Sequence, residues 1–131
     1  MSALESYIAE LRAFRRYSRA DYVRGSAVHH LAERFLHLAC ECVLDITHRV
    51  IADRGYRQPG NYRDAMAVLA EEGILDAELA ERLKRWMAFR NVLVHFYVNL
   101  DHGRTFDAIL DDLGDLEQFS RALASLLGPE S

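Results

Sequence analysis

Trp86-Met87-Ala88-Phe89-Arg90-Asn91-Val92-Leu93-Val94-His95-Phe96-Tyr97 puts a permanently charged arginine, a carboxamide, an imidazole and a phenol inside an otherwise apolar run. With Leu79 and Leu83 upstream and Asp76 as an N-cap, the apolar positions recur at three- and four-residue steps, which is helical periodicity. The stretch predicts a helix buried on most of its sides. Four polar heads in such a helix are costly unless they are paired or face a cleft. One segment thus forms part of a core and carries a candidate site.

The same periodicity extends outward in both directions. Leu4, Tyr7, Ile8, Leu11 and Phe14 predict a first amphipathic helix from about Ser2 to Tyr17, with a break over Ser18 to Asp21. From Asp21, read as an N-cap, Val28, Leu31, Phe35, Leu38, Cys42, Ile46 and Val50 continue a long helix that ends at Gly55. Gly55 to Gly60 is a loop, and Asn61 then caps a short helix closed by Gly73. After the quoted stretch, Asn99 to Arg104 reads as a turn. Phe106 to Leu127 forms a last helix in which Gly114 permits a bend, ending before Gly128 and Pro129. No two-residue alternation competes with this pattern, and there is no linker or repeat. The expectation is an all-α, up-and-down helical bundle of about five helices, a single domain over residues 1–131.

Composition limits the functions available. With 131 residues, half of them hydrophobic (50%), the chain can bury a core without disulfides or metal. Sixteen Lys plus Arg against twenty Asp plus Glu give a charge of −4, which excludes coating nucleic acid by bulk positive charge. Any RNA contact must be local. Lys84 is the sole lysine, so the basic residues are almost all arginine, the better bidentate partner for phosphate. Arg12, Arg15, Arg16, Arg19 and Arg24 form one dense basic stretch, either a guide for RNA or an acidic partner or an ordinary solvated face. Cys40 and Cys42, two apart on a helix, point to different sides and read as core filler in a reducing cytosol. No charged segment precedes an apolar stretch and no run reaches membrane length, so a soluble, cytoplasmic protein without a membrane partner is expected.

Helical geometry sharpens the candidate site. At about 100° per residue, Asn91 and His95 are neighbours on successive turns, Arg90 and Tyr97 lie nearly in line, and Arg90 stands about 140° from His95. Arg90 and His95 therefore meet on one phosphate only through distortion, through long side chains wrapping to a common groove, or through a second copy. Metal-free RNA cleavage needs a 2′-hydroxyl deprotonated, the phosphorane charge stabilised and the leaving oxygen protonated, tasks suited to histidine and arginine. No metal or cofactor is called for. Helix-end carbonyls favour a cationic imidazole at His95, which predicts a bell-shaped pH dependence. Arg24 with His29 and His30 repeats the Arg-to-His spacing but lacks the asparagine and tyrosine, and it sits in the opening turn of an amphipathic helix.

On the long helix, Glu41 and Asp45 lie one turn apart with His37 and His48 extending the line. This is a metal site, a solvated face, or a pair of carboxylates orienting Arg90 or His95 from behind. Tyr56, Tyr62 and Trp86 are candidates for base stacking, with core packing the competing role of Trp86.

Taken together, these residues resemble the HepT branch of the HEPN superfamily. Its mark is Arg, four residues, His, one residue, Tyr, here Arg90 to His95 to Tyr97 with Asn91 in the usual place. The segment from Arg34 to Ile46 is similar to the family's long second helix, and Tyr62 to Leu75 to its short third. The resemblance runs from Asp21 to Leu127. It implies a homodimeric, metal-independent endoribonuclease toxin of a type VII toxin–antitoxin system, with Arg90 and His95 catalytic and Asn91 positioning. It also implies an MntA-like nucleotidyltransferase antitoxin that transfers AMP to Tyr97. His37 stands where relatives often have Gln, and Phe96 where they often have an acidic residue, which lowers the charge beside Tyr97. Two other readings compete. One is a non-catalytic HEPN accessory subunit that binds a nucleotide or a nucleotidyltransferase. The other is a purely structural dimerisation bundle, with Arg90 and His95 locked in mutual salt bridges.

Overall fold

Apolar periodicity sets where helices form, and caps and glycines set where they stop. The computed structural model describes residues 2–127, and among these it has seven α-helices, two 3-10 turns and no strand. Helix α1 (Ser2–Ala13) runs into a 3-10 turn, Phe14–Arg16, and ends close to Tyr17 as expected. There follow α2 (Arg19–Arg24), α3 (Ser26–Arg54), α4 (Tyr62–Glu71), α5 (Ala77–His95), a 3-10 turn Tyr97–Asn99, α6 (His102–Asp111) and α7 (Leu113–Leu127). The stop expected at Gly128 and Pro129 lies outside the described residues.

The all-α expectation holds, but two of the five expected helices each divide. Ser18, not Asp21, is the N-cap: its hydroxyl accepts the Asp21 N–H at 3.1 Å, so Arg19 to Asp21 are already helical. The chain breaks again at Gly25, whose φ of −82° and ψ of 92° are extended. A Cβ on Gly25 would stand 2.9 Å from the Asp21 carbonyl oxygen, so this bend requires glycine. The bend lets α2 seat Tyr22 fully inside the core, its hydroxyl 2.7 Å from Thr105 Oγ1. The last expected helix divides at Asp112, whereas Gly114 lies within α7. Helix α6 packs on α2 while α7 packs on α1 and α5, so the two halves need different axes.

Helix α3 is the spine, touching α1, α4, α5 and α6. It buries Leu36, Ala39, Cys40 and Val43, and α5 buries Leu83 and Met87; each large apolar side chain so buried contributes about 1.5–3 kcal/mol. Gly55 ends it with a left-handed φ of 68°. Asn61 and Asp76 cap α4 and α5 as expected, accepting the backbone N–H groups of Asp64 and Leu79 at 2.8 and 2.7 Å. In the loop before α4, Arg57 forks onto Asp64 and Glu71.

Helix α5 ends sooner than the periodicity suggests. Phe96, with φ −124° and ψ 26°, leaves the helix, and Tyr97 opens a 3-10 turn. The in-line relation expected for Arg90 and Tyr97 needs an unbroken helix and does not hold. The turn expected over Asn99 to Arg104 is shorter, because Asp101 caps α6 by accepting the Arg104 N–H at 3.2 Å.

Candidate active site

Arg90 leaves α5 on the side facing α3 and α4, where three neighbours fix its guanidinium. Its Nε donates to Glu41 Oε1 at 2.6 Å, its Nη1 donates to Asn91 Oδ1 at 3.2 Å, and its Cζ lies 5.0 Å from the centre of the Tyr62 ring. With its side chain only 15% exposed, this charge-assisted bond in a partly dry setting is stronger than a surface pair. Glu41 is shared. His37 Nε2 lies 3.4 Å from the same Oε1, and Arg34 Nη1 donates to His37 Nδ1 at 3.3 Å. With Nδ1 accepting, the Nε2 proton of His37 faces Glu41. Arg34, His37, Glu41 and Arg90 therefore form one linked line across two helices.

His95 is the last residue of α5 and is exposed, with no hydrogen bond or ion pair among the described residues. Asn91 is exposed beside it, as are Val92 (38%), Phe96 (61%) and Val98 (75%). The expectation of a helix buried on most sides therefore fails in its final turn, where Leu93 alone is fully turned inward and Val94 is half-buried. The burial penalty anticipated for the polar heads does not arise for Asn91 and His95 within one chain. No hydrogen bond joins Arg90 and His95 among the described residues. This agrees with their angular separation on the helix.

The remaining candidates separate clearly. Asp45 is exposed and makes no hydrogen bond or ion pair with Arg90 or His95 among the described residues, so the carboxylate behind Arg90 is Glu41. No cluster of three or more His, Cys, Asp or Glu side chains among the described residues is arranged to hold a metal. Trp86 is buried, edge-on to Phe89, with Nε1 donating to Asp115 at 3.2 Å, so its ring is core and not a stacking platform. Tyr56 also packs on the core, whereas Tyr62 is 37% exposed beneath Arg90. The basic stretch is largely committed internally. Arg12 pairs with Glu117, Arg15 Nε donates to the Ile109 carbonyl, and Arg19 pairs with Asp107.

The second Arg-to-His match dissolves in the core. His29 is 5% exposed, lies 3.0 Å through Nδ1 from the Tyr22 carbonyl oxygen, and stacks on His102 at 3.6 Å. His102 in turn lies 2.6 Å from Glu33, which also accepts from Thr105 at 2.8 Å. Desolvation pushes the Cys40 thiol up to about 12, so it is an unreactive core group. Sequence reading missed the role of Arg34 and the Glu33–His102 pair. The repeat of His30, Arg34, His37 and Glu41 at helical spacing was the available signal for the first.

No described helix is long and apolar enough to cross a membrane. An all-helical fold with an arginine clamped by a carboxylate from the long helix, and a histidine exposed one turn later, defines a HEPN-like protein. The chain belongs to the ribonuclease HepT-like family, which matches residues 4–123. It is 32% identical over 98 residues to the Bacillus subtilis protein YutE, covering 75% of this chain and 68% of that one. It is 27% identical over 121 residues to the tRNA nuclease HepT of Aphanizomenon flos-aquae, covering 92% and 82% of the two chains. The fold matches the tri-AMPylated Shewanella oneidensis HEPN toxin, solved in complex with MNT antitoxin. That match has a TM-score of 0.84 over 93% of this chain and 91% of that one, at 20% identity.

Proposed function

We propose that this chain is a metal-independent endoribonuclease toxin, one domain acting as a homodimer, that cleaves RNA with Arg90 and His95. A nucleotidyltransferase antitoxin of the MntA type silences it by transferring AMP to Tyr97. The observation that carries the reading is the clamped guanidinium of Arg90 on the same helix as an exposed His95 that has no hydrogen bond or ion pair among the described residues, in a chain of the ribonuclease HepT-like family.

The chemistry follows from what each group can do. Neutral His95 takes the proton of a ribose 2′-hydroxyl, and the 2′-oxygen attacks the adjacent phosphorus. The guanidinium of Arg90, aimed by Glu41, stabilises the added charge on the phosphorane. The bond from phosphorus to the 5′-oxygen breaks, and that oxygen leaves with a proton from the protonated His95 of the partner subunit. The products are a 2′,3′-cyclic phosphate and a 5′-hydroxyl. Two copies supply the base and the acid that a single helix does not bring to one phosphate. The exposed side chains of Val92, Phe96 and Val98 support an interface at this end of α5, because clustered exposed apolar groups mark association surfaces.

Tyr97 lies just past the helix end, in the 3-10 turn after His95. An adenylyl group there adds bulk and negative charge where the RNA phosphate must sit. Purified protein incubated with single-stranded RNA in EDTA is expected to yield fragments ending in cyclic phosphate, with His95→Ala and Arg90→Ala inactive but folded. Absence of cleavage that depends on His95 would instead favour the non-catalytic accessory subunit. With antitoxin and ATP, the intact mass is expected to rise by one or more AMP units, and a rise that persists in Tyr97→Phe would remove Tyr97 from the scheme.

A further inference from the structure

A groove of about 350 Å³ runs between α3 and the end of α5, next to the candidate active site. One wall is the α3 stripe of His30, Glu33, Arg34 and His37, and the floor is Leu93, Val94 and Leu100. Its position is tied to the site from both sides. Arg34 and His37 are the first links of the line that ends on Glu41 and Arg90, and Leu93 and Val94 immediately precede His95.

We infer that this groove is a nucleotide subsite of the RNA substrate, in which Arg34 holds a phosphate next to the scissile one and the apolar floor carries a base. The inference rests on the ribonuclease reading above and adds where the strand lies. Arg34 is exposed and, among the described residues, has no carboxylate partner. Its Nη1 is engaged by His37, which leaves further N–H groups of the guanidinium fork for phosphate oxygens. Glu33 supplies the complementary feature for a base. Its Oε2 is taken by His102 and Thr105, whereas its Oε1 has no hydrogen bond among the described residues. Glu33 lines the groove with 7% of its side chain exposed. A carboxylate oxygen at that place accepts a hydrogen bond from a base N–H. A cationic wall, an apolar floor and one acceptor are the recognition set of a nucleotide in a single strand. A protein with net charge −4 concentrates its RNA contacts in such a local strip instead of a basic surface.

The test measures binding and turnover separately. With fluorescein-labelled single-stranded RNA at low salt, His95→Ala/Arg34→Glu is expected to bind roughly tenfold more weakly than His95→Ala. The salt dependence of log Kd should become shallower by about one phosphate contact. In the active background, Arg34→Glu is expected to lower kcat/KM with the larger part of the loss in KM, and Arg34→Lys to recover part of it. Equal affinity for RNA in the His95→Ala pair overturns the subsite, whether or not the wild type cleaves. So does loss of the dimer in Arg34→Glu, which would make the groove an interface between copies. Weakened binding in a protein that cleaves nothing would overturn the nuclease reading and leave the subsite standing. Competition by free AMP as effective as that by RNA would assign the groove to the adenylyl group instead.

Discussion

Arg90 is useful only while its guanidinium is held in one place, and a carboxylate from another helix does most of the holding. Removing it in Glu41→Ala leaves a half-buried cation with one amide and one aromatic ring. The expected result is a ten- to hundredfold loss of initial cleavage rate, the scale of one charge-assisted hydrogen bond. Size-exclusion chromatography should show the dimer intact, and an unchanged rate would remove Glu41 from the scheme. His95 is the opposite case. An exposed side chain with no hydrogen bond among the described residues contributes little to folding, so His95→Ala should unfold in urea within about 0.5 kcal/mol of the wild type while losing activity. A large destabilisation would support the purely structural bundle.

At the scale of elements, the divided helices are testable through their hinges. Alanine at Gly25 must push against the Asp21 carbonyl, which is backbone and cannot swing away. A cost of about 1–3 kcal/mol is expected, read from urea or thermal unfolding. The loop before α4 depends on Arg57, whose hydrogen bonds hold the Asp64 and Glu71 carboxyls below the usual carboxylate range. Groups with depressed folded values contribute stability that is present above about pH 4 and lost as pH falls through those values. Because the network is exposed, solvent screening keeps the effect small. Arg57→Ala should therefore show a shallower fall of Tm between about pH 5 and pH 2 than the wild type. Parallel curves would show that this fork does not couple folding to protons.

For the whole molecule, the decisive property is whether two copies close one site. Phe96 and Val98 are the most exposed large apolar side chains among the described residues, and they flank the motif. Charge at both positions, as in Phe96→Glu/Val98→Glu, should shift the protein to monomer in light scattering and abolish cleavage while far-UV circular dichroism shows the helical fold retained. A monomeric variant with full activity would show that one chain suffices and that the strand reaches Arg90 and His95 by another path.

Much of this was legible in the residues alone. Periods of three and four, the caps at Asn61 and Asp76 and the stop at Gly55 determine an all-helical chain. The motif places Arg90, Asn91 and His95 on one helix at known angles. These are local properties, set by neighbours within a turn or two. Tertiary structure decided the rest. Helix division at Gly25 and Asp112 depends on which neighbours each half must meet. The choice of Glu41 over Asp45 as the partner of Arg90 depends on how α3 and α5 cross, because the two side chains are 49 positions apart. Exposure of the last turn of α5, which periodicity marked as buried, arises because no other described helix covers it. Periodicity reports that a face is apolar, and only packing shows what covers it.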